Sequence, residues 1–424
     1  MSGMSADELG GQTADTLLQL AELRNLTFDF AGAEAALDAL PAEQRNGSEQ
    51  VSALRAAIAR NASSHLYQVE APRIRAFADR APGGFDTRAG GVLQLVADKE
   101  GLTISGHASD GAERLYLFVE DHLVGIFAAR PPSRPHFPPV APFSGAISRR
   151  TLRLFPEDRS VKLAVSTGPR LLLDVAGAPV VKHTAPTGRG GLHKVLAAGG
   201  LLTSHAQITP PKSTRQIAGW MHSYGALRDH LAEAAGSALM LCYGSLLGAI
   251  REGRVIPHDD DLDTVVMLRA RSHADAAAEF RALTALILSR SDTVDIETWR
   301  GRFLKVSIGE GSKIDVFPAW HDGQRLWCPL TTCLDCDPDL LVEAEERDFH
   351  GTQALVPRRA EEFLALKYGP GWRIPDPGYR AASRKDVTYP FASFAISEDE
   401  LPAIRQRAAE LSGGKATGKL SYVR

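Results

Sequence analysis

A chain of 424 residues, 44% of them hydrophobic, can bury two or three separate cores, and its make-up is that of an ordinary globular protein. With 48 Lys and Arg against 51 Asp and Glu, the formal net charge is −3, which argues against a general polyanion binder while leaving room for a local basic groove; nucleic acid is not expected as a partner. Four cysteines are too few for a disulfide scaffold of this size, no apolar run approaches the ~18 residues that would span a bilayer, and Met1 opens no basic-then-apolar leader. The expectation is a cytoplasmic protein without a transmembrane segment, with peripheral membrane association left open.

Residues 1–68 carry Leu17, Leu20, Leu23, Ala33, Ala36, Leu37 and Leu40 at helical spacing before Pro41, which predicts a segment of short helices. "FDFAGAEAALDALP" resembles one tetratricopeptide-type unit, but a single unit cannot bury a solenoid core. From 86 to 183 the pattern changes to short runs such as "VLQLVAD", "RLYLFVE" and "KLAVST", broken every eight to twelve residues by Gly, Pro and Asp clusters. That spacing predicts a small β-sandwich-like domain. Residues 184–212, opening on "TAPTGRGG", read as a linker.

Residues 213–395 alternate helical and strand patterns and predict an α/β or α+β domain with a mixed sheet. A helix over 213–235 leads to the buried strand "ALMLCY", the helix "SLLGAIR", the strand "DLDTVVML" and the helix "SHADAAAEFRALTALILSR". "TVDIET", "FLKVSIG" and "KIDVFPA" complete the sheet. Residues 396–424 are expected as a C-terminal tail.

The chemistry concentrates in "YGSLLGAIREGRVIPHDDDLD", Tyr243 to Asp263. If "DLD" opens a strand, Asp261 and Asp263 face the same way, about 7 Å apart at Cα, while Leu262 faces the other side. Like charges a few Å apart cost on the order of 4 kcal/mol at an effective dielectric near 20, a cost that a hard cation such as Mg²⁺ or Mn²⁺ relieves. Gly244 and Ser245, where a strand turns into a helix, are positioned to offer backbone N–H groups to a phosphate. Asp315, between Ile314 and Val316, leaves the apolar layer and becomes a third carboxylate if its strand lies beside "DLD". A run of aspartates by itself is more often a solvated loop.

These residues resemble the signature of the LicD and fukutin-related phosphotransferases of the nucleotidyltransferase superfamily: Gly-Ser/Thr-Leu-Leu-Gly-Ala-x-Arg followed by Ile-Pro-Trp-Asp-Asp-Asp-Ile-Asp. "KIDVFP" (Lys313 to Pro318) and "FHGTQALVPRRAEEFLALKYGPGW" (Phe349 to Trp372) extend the resemblance over roughly residues 213–380. His258 departs from it, standing where the family usually carries Trp.

The resemblance implies a nucleotidyltransferase-like domain in which Asp261, Asp263 and Asp315 bind Mg²⁺ or Mn²⁺ and serve catalysis. It further implies that Gly244 and Ser245 cradle the donor phosphate and that Arg251 neutralises phosphate charge. The implied reaction moves a phospho-alcohol, of the phosphocholine or polyol phosphate type, from a CDP-linked donor to the hydroxyl of a glycan or lipid-linked glycan acceptor. Two other readings stay open at this point: transfer of NMP from an NTP, and a non-catalytic glycan- or protein-binding scaffold.

Two further clusters call for mention. Cys328, Cys333 and Cys336, with His321 or His350, are a candidate set for structural Zn²⁺, against the simpler reading of ordinary thiols. Trp320, Trp327, Trp372 and Tyr379 are a candidate aromatic box for a quaternary ammonium, against core packing.

Overall fold

The computed structural model describes residues 9, 12–80, 90–109, 112–129, 140–203, 205–328, 332–376, 379, 394–415 and 417–424. The chain forms two compact units. One holds Met1–Pro211 with Pro375–Arg380, and the other holds Lys212–Ile374 with Ala381–Arg424.

The first unit begins with helices Ala14–Leu26, Phe30–Asp38, Glu49–Ser63 and His65–Arg80. Thr13, Asp29 and Ser48 start the first three, each side-chain oxygen accepting a backbone N–H of the first turn. Two four-stranded sheets follow. One runs in the order Val140–Ser148, Gly101–Ser109, Gly91–Ala97, Leu173–Asp174, and the other in the order His122–Ala128, Arg114–Val119, Val161–Ser166, Val181–His183. Leu93, Ile104 and Phe143 from the first sheet share one core with Leu117, Val124 and Val165 from the second. Strands Arg114–Val119 and His122–Ala128 are buried almost throughout, because Tyr116, Phe118 and Ile126 on their other face pack with Leu26 and Leu66 of the helices.

The stretch 184–212, expected as a linker, is built into this unit. It contains helix Leu192–Ala197 and a two-stranded ribbon, Leu201–Leu202 with Ile208–Thr209. Leu192, Leu196 and Ile208 are buried in the same core. The glycines at its start drew attention away from Leu192 and Leu196, which stand at helical i, i+4 spacing in a helix only six residues long.

The helices are held to the sheet by a polar clamp on the hairpin turn Glu120–Asp121, where both residues adopt positive φ. The side chains of Asn25 and Asn61 donate to the Asp121 carbonyl at 2.9 and 2.8 Å, and Asn61 Oδ1 accepts the Leu123 N–H at 2.9 Å. Burial, with Glu22 beside it, pushes the Asp121 carboxyl up to about 7, against the pull of Lys162. A carboxyl raised on folding stabilises the fold when protonated, and that contribution is lost as pH climbs from about 4 through about 7. The thermal midpoint of this unit is therefore expected to fall between pH 5 and pH 8. Asp121→Asn should flatten that slope in calorimetry.

The second unit opens with helix Thr214–Ala235 (α1), started by a Ser213–Gln216 capping box and ended by Gly236 in the left-handed conformation. Its strands are Leu239–Leu241 (β1), Asp263–Met267 (β2), Val294–Trp299 (β3), Phe303–Ile308 (β4), Ile314–His321 (β5), Arg325–Cys328 (β6), Thr332–Asp335 (β7), Ala344–Phe349 (β8), Thr352–Pro357 (β9) and Lys419–Val423 (β10). They form one mixed sheet in the order β8-β9-β1-β2-β5-β4-β3-β10, with β6 on β5 and β7 on β6. The central strand β5 is buried along its whole length.

Helices Tyr243–Leu247 (α2), His273–Leu288 (α3), Ala360–Tyr368 (α4) and Leu401–Leu411 (α5) complete the unit. The Tyr224 hydroxyl joins α1 to the sheet, donating to the Leu239 carbonyl at 3.0 Å and accepting the Leu355 N–H at 2.7 Å. Residues 396–424, expected as a tail, contribute α5 and the edge strand β10, which pairs parallel with β3 from Asp295↔Lys419 to Trp299↔Val423. Ile404, Ala408 and Leu420 are buried there. No helix among the described residues is long and apolar enough to cross a membrane.

Candidate active site

The parallel pairing of β2 with β5 sets Asp263 directly opposite Asp315. Parallel partners in register point to the same face, so one line of sequence on each strand brings the two carboxylates together. The strand begins at Asp263 rather than at Asp261. Asp261 lies in the bend before it, although the Leu262 carbonyl already accepts the Asp315 N–H at 2.8 Å. The bend replaces the expected same-face alternation, and it still delivers the carboxylate: ligand atoms of Asp261, Asp263 and Asp315 all lie within 4.8 Å of one another. A second group, Asp259, Asp260 and Asp261, meets the same limit, so Asp261 belongs to both.

The start of β2 is fixed by three hydrogen bonds. The Cys242 N–H donates to the Asp263 carbonyl at 3.0 Å, the Asp263 N–H to Ser245 Oγ at 2.8 Å, and Thr264 Oγ1 to the Asp315 carbonyl at 2.7 Å. Ser245 is buried, and its hydroxyl serves as a support for the strand. The Gly244 N–H donates to Asp263 Oδ2 at 3.3 Å. A Cβ at Gly244 would stand 2.6 Å from Asp259 Oδ2, so the absence of a side chain lets the acidic loop pack over the corner. The expected helix "SLLGAIR" divides into α2 and a π-turn over Gly248–Glu252.

Electrostatics follow from the crowding. Burial, then the neighbouring Asp261, Asp259 and Asp315, hold the Asp263 carboxyl well above the usual carboxylate range. Asp259 is raised in the same direction by burial and by Asp261 and Asp260. Asp315 is only 4% exposed, and burial pushes it up to about 7 while Lys305 pulls it down. Lys305 Nζ lies 2.6 and 2.9 Å from the two Asp315 carboxylate oxygens. Lys305 was not singled out from the sequence. The available signal was a cation inside the apolar strand "FLKVSIG", on the alternate positions that face away from the core.

The donor set fits a hard divalent cation: three carboxylates with oxygen ligands in reach of one point. Lys305 pairs with Asp315.

Other expected site residues are placed differently. Arg251 Nε bonds Glu252 at 2.8 Å, and Nη1 reaches the Trp372 carbonyl at 3.3 Å, so this guanidinium ties the π-turn to the segment after α4. Cys328 is buried and Cys336 half-buried, while the Cys333 side chain lies outside the described residues. His321 accepts the Gly323 N–H at Nδ1 and bonds the Cys336 carbonyl at Nε2, and His350 Nε2 accepts the Val255 N–H. Neither histidine is poised as a fourth zinc ligand. Trp320, Trp327 and Trp372 are buried and form no open box. Trp320 stacks on Phe394 instead.

Residues 236–359 match the family model described as LicD/FKTN/FKRP, nucleotidyltransferase domain. This segment is a LicD/FKTN/FKRP domain. The chain is 29% identical over 145 residues to the ribitol 5-phosphate transferase FKRP of Mus musculus and 28% identical over 145 residues to that of Homo sapiens. Each match covers 33% of this chain and 29% of the relative, so the chain spans under a third of the length of the curated relatives it matches. The LicD/FKTN/FKRP domain contains all three clustered aspartates, the Gly244-Ser245 corner and Lys305.

Two stability tests follow from this geometry. Ser245→Ala removes the acceptor of a buried strand N–H and should cost about 1–3 kcal/mol in denaturant unfolding. Asp263→Asn keeps an acceptor for Gly244 and removes one of the crowded charges, so it should raise the thermal midpoint when a chelator is present. A lower midpoint would show that the carboxylates do not repel.

Proposed function

We propose that this chain is a metal-dependent phosphotransferase that moves a phospho-alcohol from a CDP-linked donor to a glycan hydroxyl and releases CMP. The convergence of Asp261, Asp263 and Asp315 carries this reading. The match of residues 236–359 to the LicD/FKTN/FKRP domain and the similarity to a ribitol 5-phosphate transferase support it.

Asp261 and Asp263 would hold the divalent ion, Mg²⁺ or Mn²⁺, with Asp315 completing the set. Bound there, the ion neutralises pyrophosphate oxygens and stabilises charge on the leaving CMP. Lys305, 2.6 Å from Asp315, favours the charged form against the effect of burial and would orient that carboxylate. The acceptor oxygen attacks the phosphorus that carries the alcohol, the bond from that phosphorus to the oxygen of CMP breaks, and the acceptor proton passes to a carboxylate oxygen or water. Such a transfer depends on positioning and charge compensation more than on covalent chemistry, which suits carboxylates fixed on two paired central strands.

The N–H of Gly244 faces Asp263, so any role of this corner toward donor phosphate begins with orienting that carboxylate. Arg251, held by Glu252, supports the fold around the site in this reading.

Incubation with CDP-ribitol, CDP-glycerol and CDP-choline plus Mg²⁺ or Mn²⁺ should release CMP from at least one donor. EDTA should abolish the release, and added ion should restore it. Asp261→Asn and Asp263→Asn should each lower the rate by roughly 100-fold or more. Pyrophosphate released from an NTP would establish nucleotidyl transfer instead. If neither product appeared with any donor, the proposal would be wrong.

A further inference from the structure

The sheet carries a second ordered feature beside the aspartates. Registers β2–β5, β5–β4, β4–β3 and β3–β10 line up Asp263, Asp315, Lys305, Glu297 and Ser421 across five strands. One step along each strand on the same face, Phe317, Phe303 and Trp299 form an adjacent aromatic row. Phe303 stacks on Phe317 at 4.8 Å and on Trp299 at 6.2 Å. On the other side of the charged row lie Lys313, Ser307 and Asp295.

The burial pattern shows which face this is. Val294, Ile296 and Thr298 of β3 are buried, whereas Asp295, Glu297 and Trp299 are half-buried. In β4, Leu304, Val306 and Ile308 are buried while Lys305 and Ser307 are not. Side chains on this face keep substantial exposure: 43% for Asp295, 29% for Glu297 and 32% for Lys313. A half-open polar shelf therefore runs from Asp315 outward to the edge strand, with Trp299 as an apolar wall. Two strand spacings separate Asp315 from Glu297, about 10 Å, which is the reach of one or two sugar rings.

Its charges decide what kind of ligand it suits. Lys313 pairs with both Asp295 and Glu297, and Lys305 is taken by Asp315. The shelf offers an anion no unpaired cation among these residues, and it offers a cation no uncompensated carboxylate beyond the aspartate cluster. It does offer many hydrogen-bond donors and acceptors beside a large aromatic ring, a combination that suits a neutral polyhydroxylated molecule.

We propose that this shelf is the acceptor subsite, where a neutral saccharide packs its C–H face against Trp299. Its hydroxyls exchange hydrogen bonds with Glu297, Asp295 and Lys313. This deepens the phosphotransferase reading and rests on it for the word acceptor; the saccharide site itself can be tested without turnover. Bound there, a saccharide extends toward Asp315 and presents a hydroxyl beside the three carboxylates.

The test combines binding with kinetics. Saturation-transfer NMR on the full chain, with methyl glycosides of glucose, galactose, N-acetylglucosamine and N-acetylgalactosamine as probes, should show transfer to at least one. Trp299→Ala should abolish that transfer. Trp299→Phe should retain it, because the ring persists and the indole N–H has no partner within the protein. Glu297→Ala, at the other side of the shelf, should weaken binding at least fivefold and covers the case in which Trp299→Ala fails to fold.

With a CDP-alcohol donor and the same glycoside, Trp299→Ala should raise the acceptor KM at least tenfold and leave kcat at saturating acceptor within about threefold. Glycoside binding that depends on Trp299 without CMP release would sink the phosphotransferase reading and leave the saccharide site standing. CMP release with no glycoside bound at the shelf, or a Trp299→Ala effect confined to the donor KM, would overturn the inference.

Discussion

The structure of the second unit turns on one unfavourable contact: carboxylates forced together by the pairing of two parallel strands. Asp263 and Asp315 are locked in register by the Leu262 carbonyl, the Thr264 hydroxyl and the buried strand β5, so neither can move away without breaking the sheet. Neighbouring like charges at this separation cost on the order of 4 kcal/mol at an effective dielectric near 20. The fold tolerates them because its central strands bury a large apolar surface on the opposite face. Lys305 answers Asp315 directly. The crowding of three carboxylate ligand atoms within 4.8 Å of one another is the property on which the proposed divalent-ion site rests.

Support for that contact comes from groups whose chemical types suggest other tasks. Ser245 looks like a phosphate ligand from its place in the motif, yet its hydroxyl receives the first N–H of β2. Gly244 permits close approach, and the atom that approaches is Asp259. Tyr243 takes a positive φ at this corner, a conformation that costs a non-glycine residue of order 1–3 kcal/mol. Its ring meets Phe317 edge-on at 5.3 Å and has Lys367 5.0 Å above it, contacts that hold the corner in place. Lys367 is itself pulled below the usual lysine range by burial. The turn from β1 into α2 thus acts mainly to aim Asp263.

Much of this was legible in the residues because the signal was local. Asp315, between Ile314 and Val316, stands opposite Asp263 in register and meets Lys305, although the whole strand is buried. What escaped reading depended on partners far along the chain. Lys305 gains its meaning only when β4 is laid beside β5, and the role of β10 depends on pairing with β3, more than 100 residues earlier. Arg251, a helix-end arginine near an acidic motif, has partners the sequence did not suggest: Glu252 and the distant Trp372 carbonyl. Glycine-rich composition hid the structured stretch 184–212, because four buried apolar residues, Ala185, Leu192, Leu196 and Ile208, suffice to anchor it.

The same register logic separates the chemistry from its specificity. A sheet alternates faces residue by residue, so a strand that carries a catalytic group toward one side also carries its neighbours two positions away to that side. Asp315 brings Phe317 and Lys313 with it, and Lys305 brings Phe303 and Ser307. Substituents that recognise a substrate can therefore change along β3 and β10 while the trio on β2, β5 and the acidic bend stays fixed. Trp299 and Glu297 lie on β3, beyond Lys305, where a change of side chain alters the shelf and leaves the pairing of Asp263 with Asp315 untouched. Within this unit, β3 and β10 are where the proposed acceptor shelf can change without disturbing the paired carboxylates of β2 and β5.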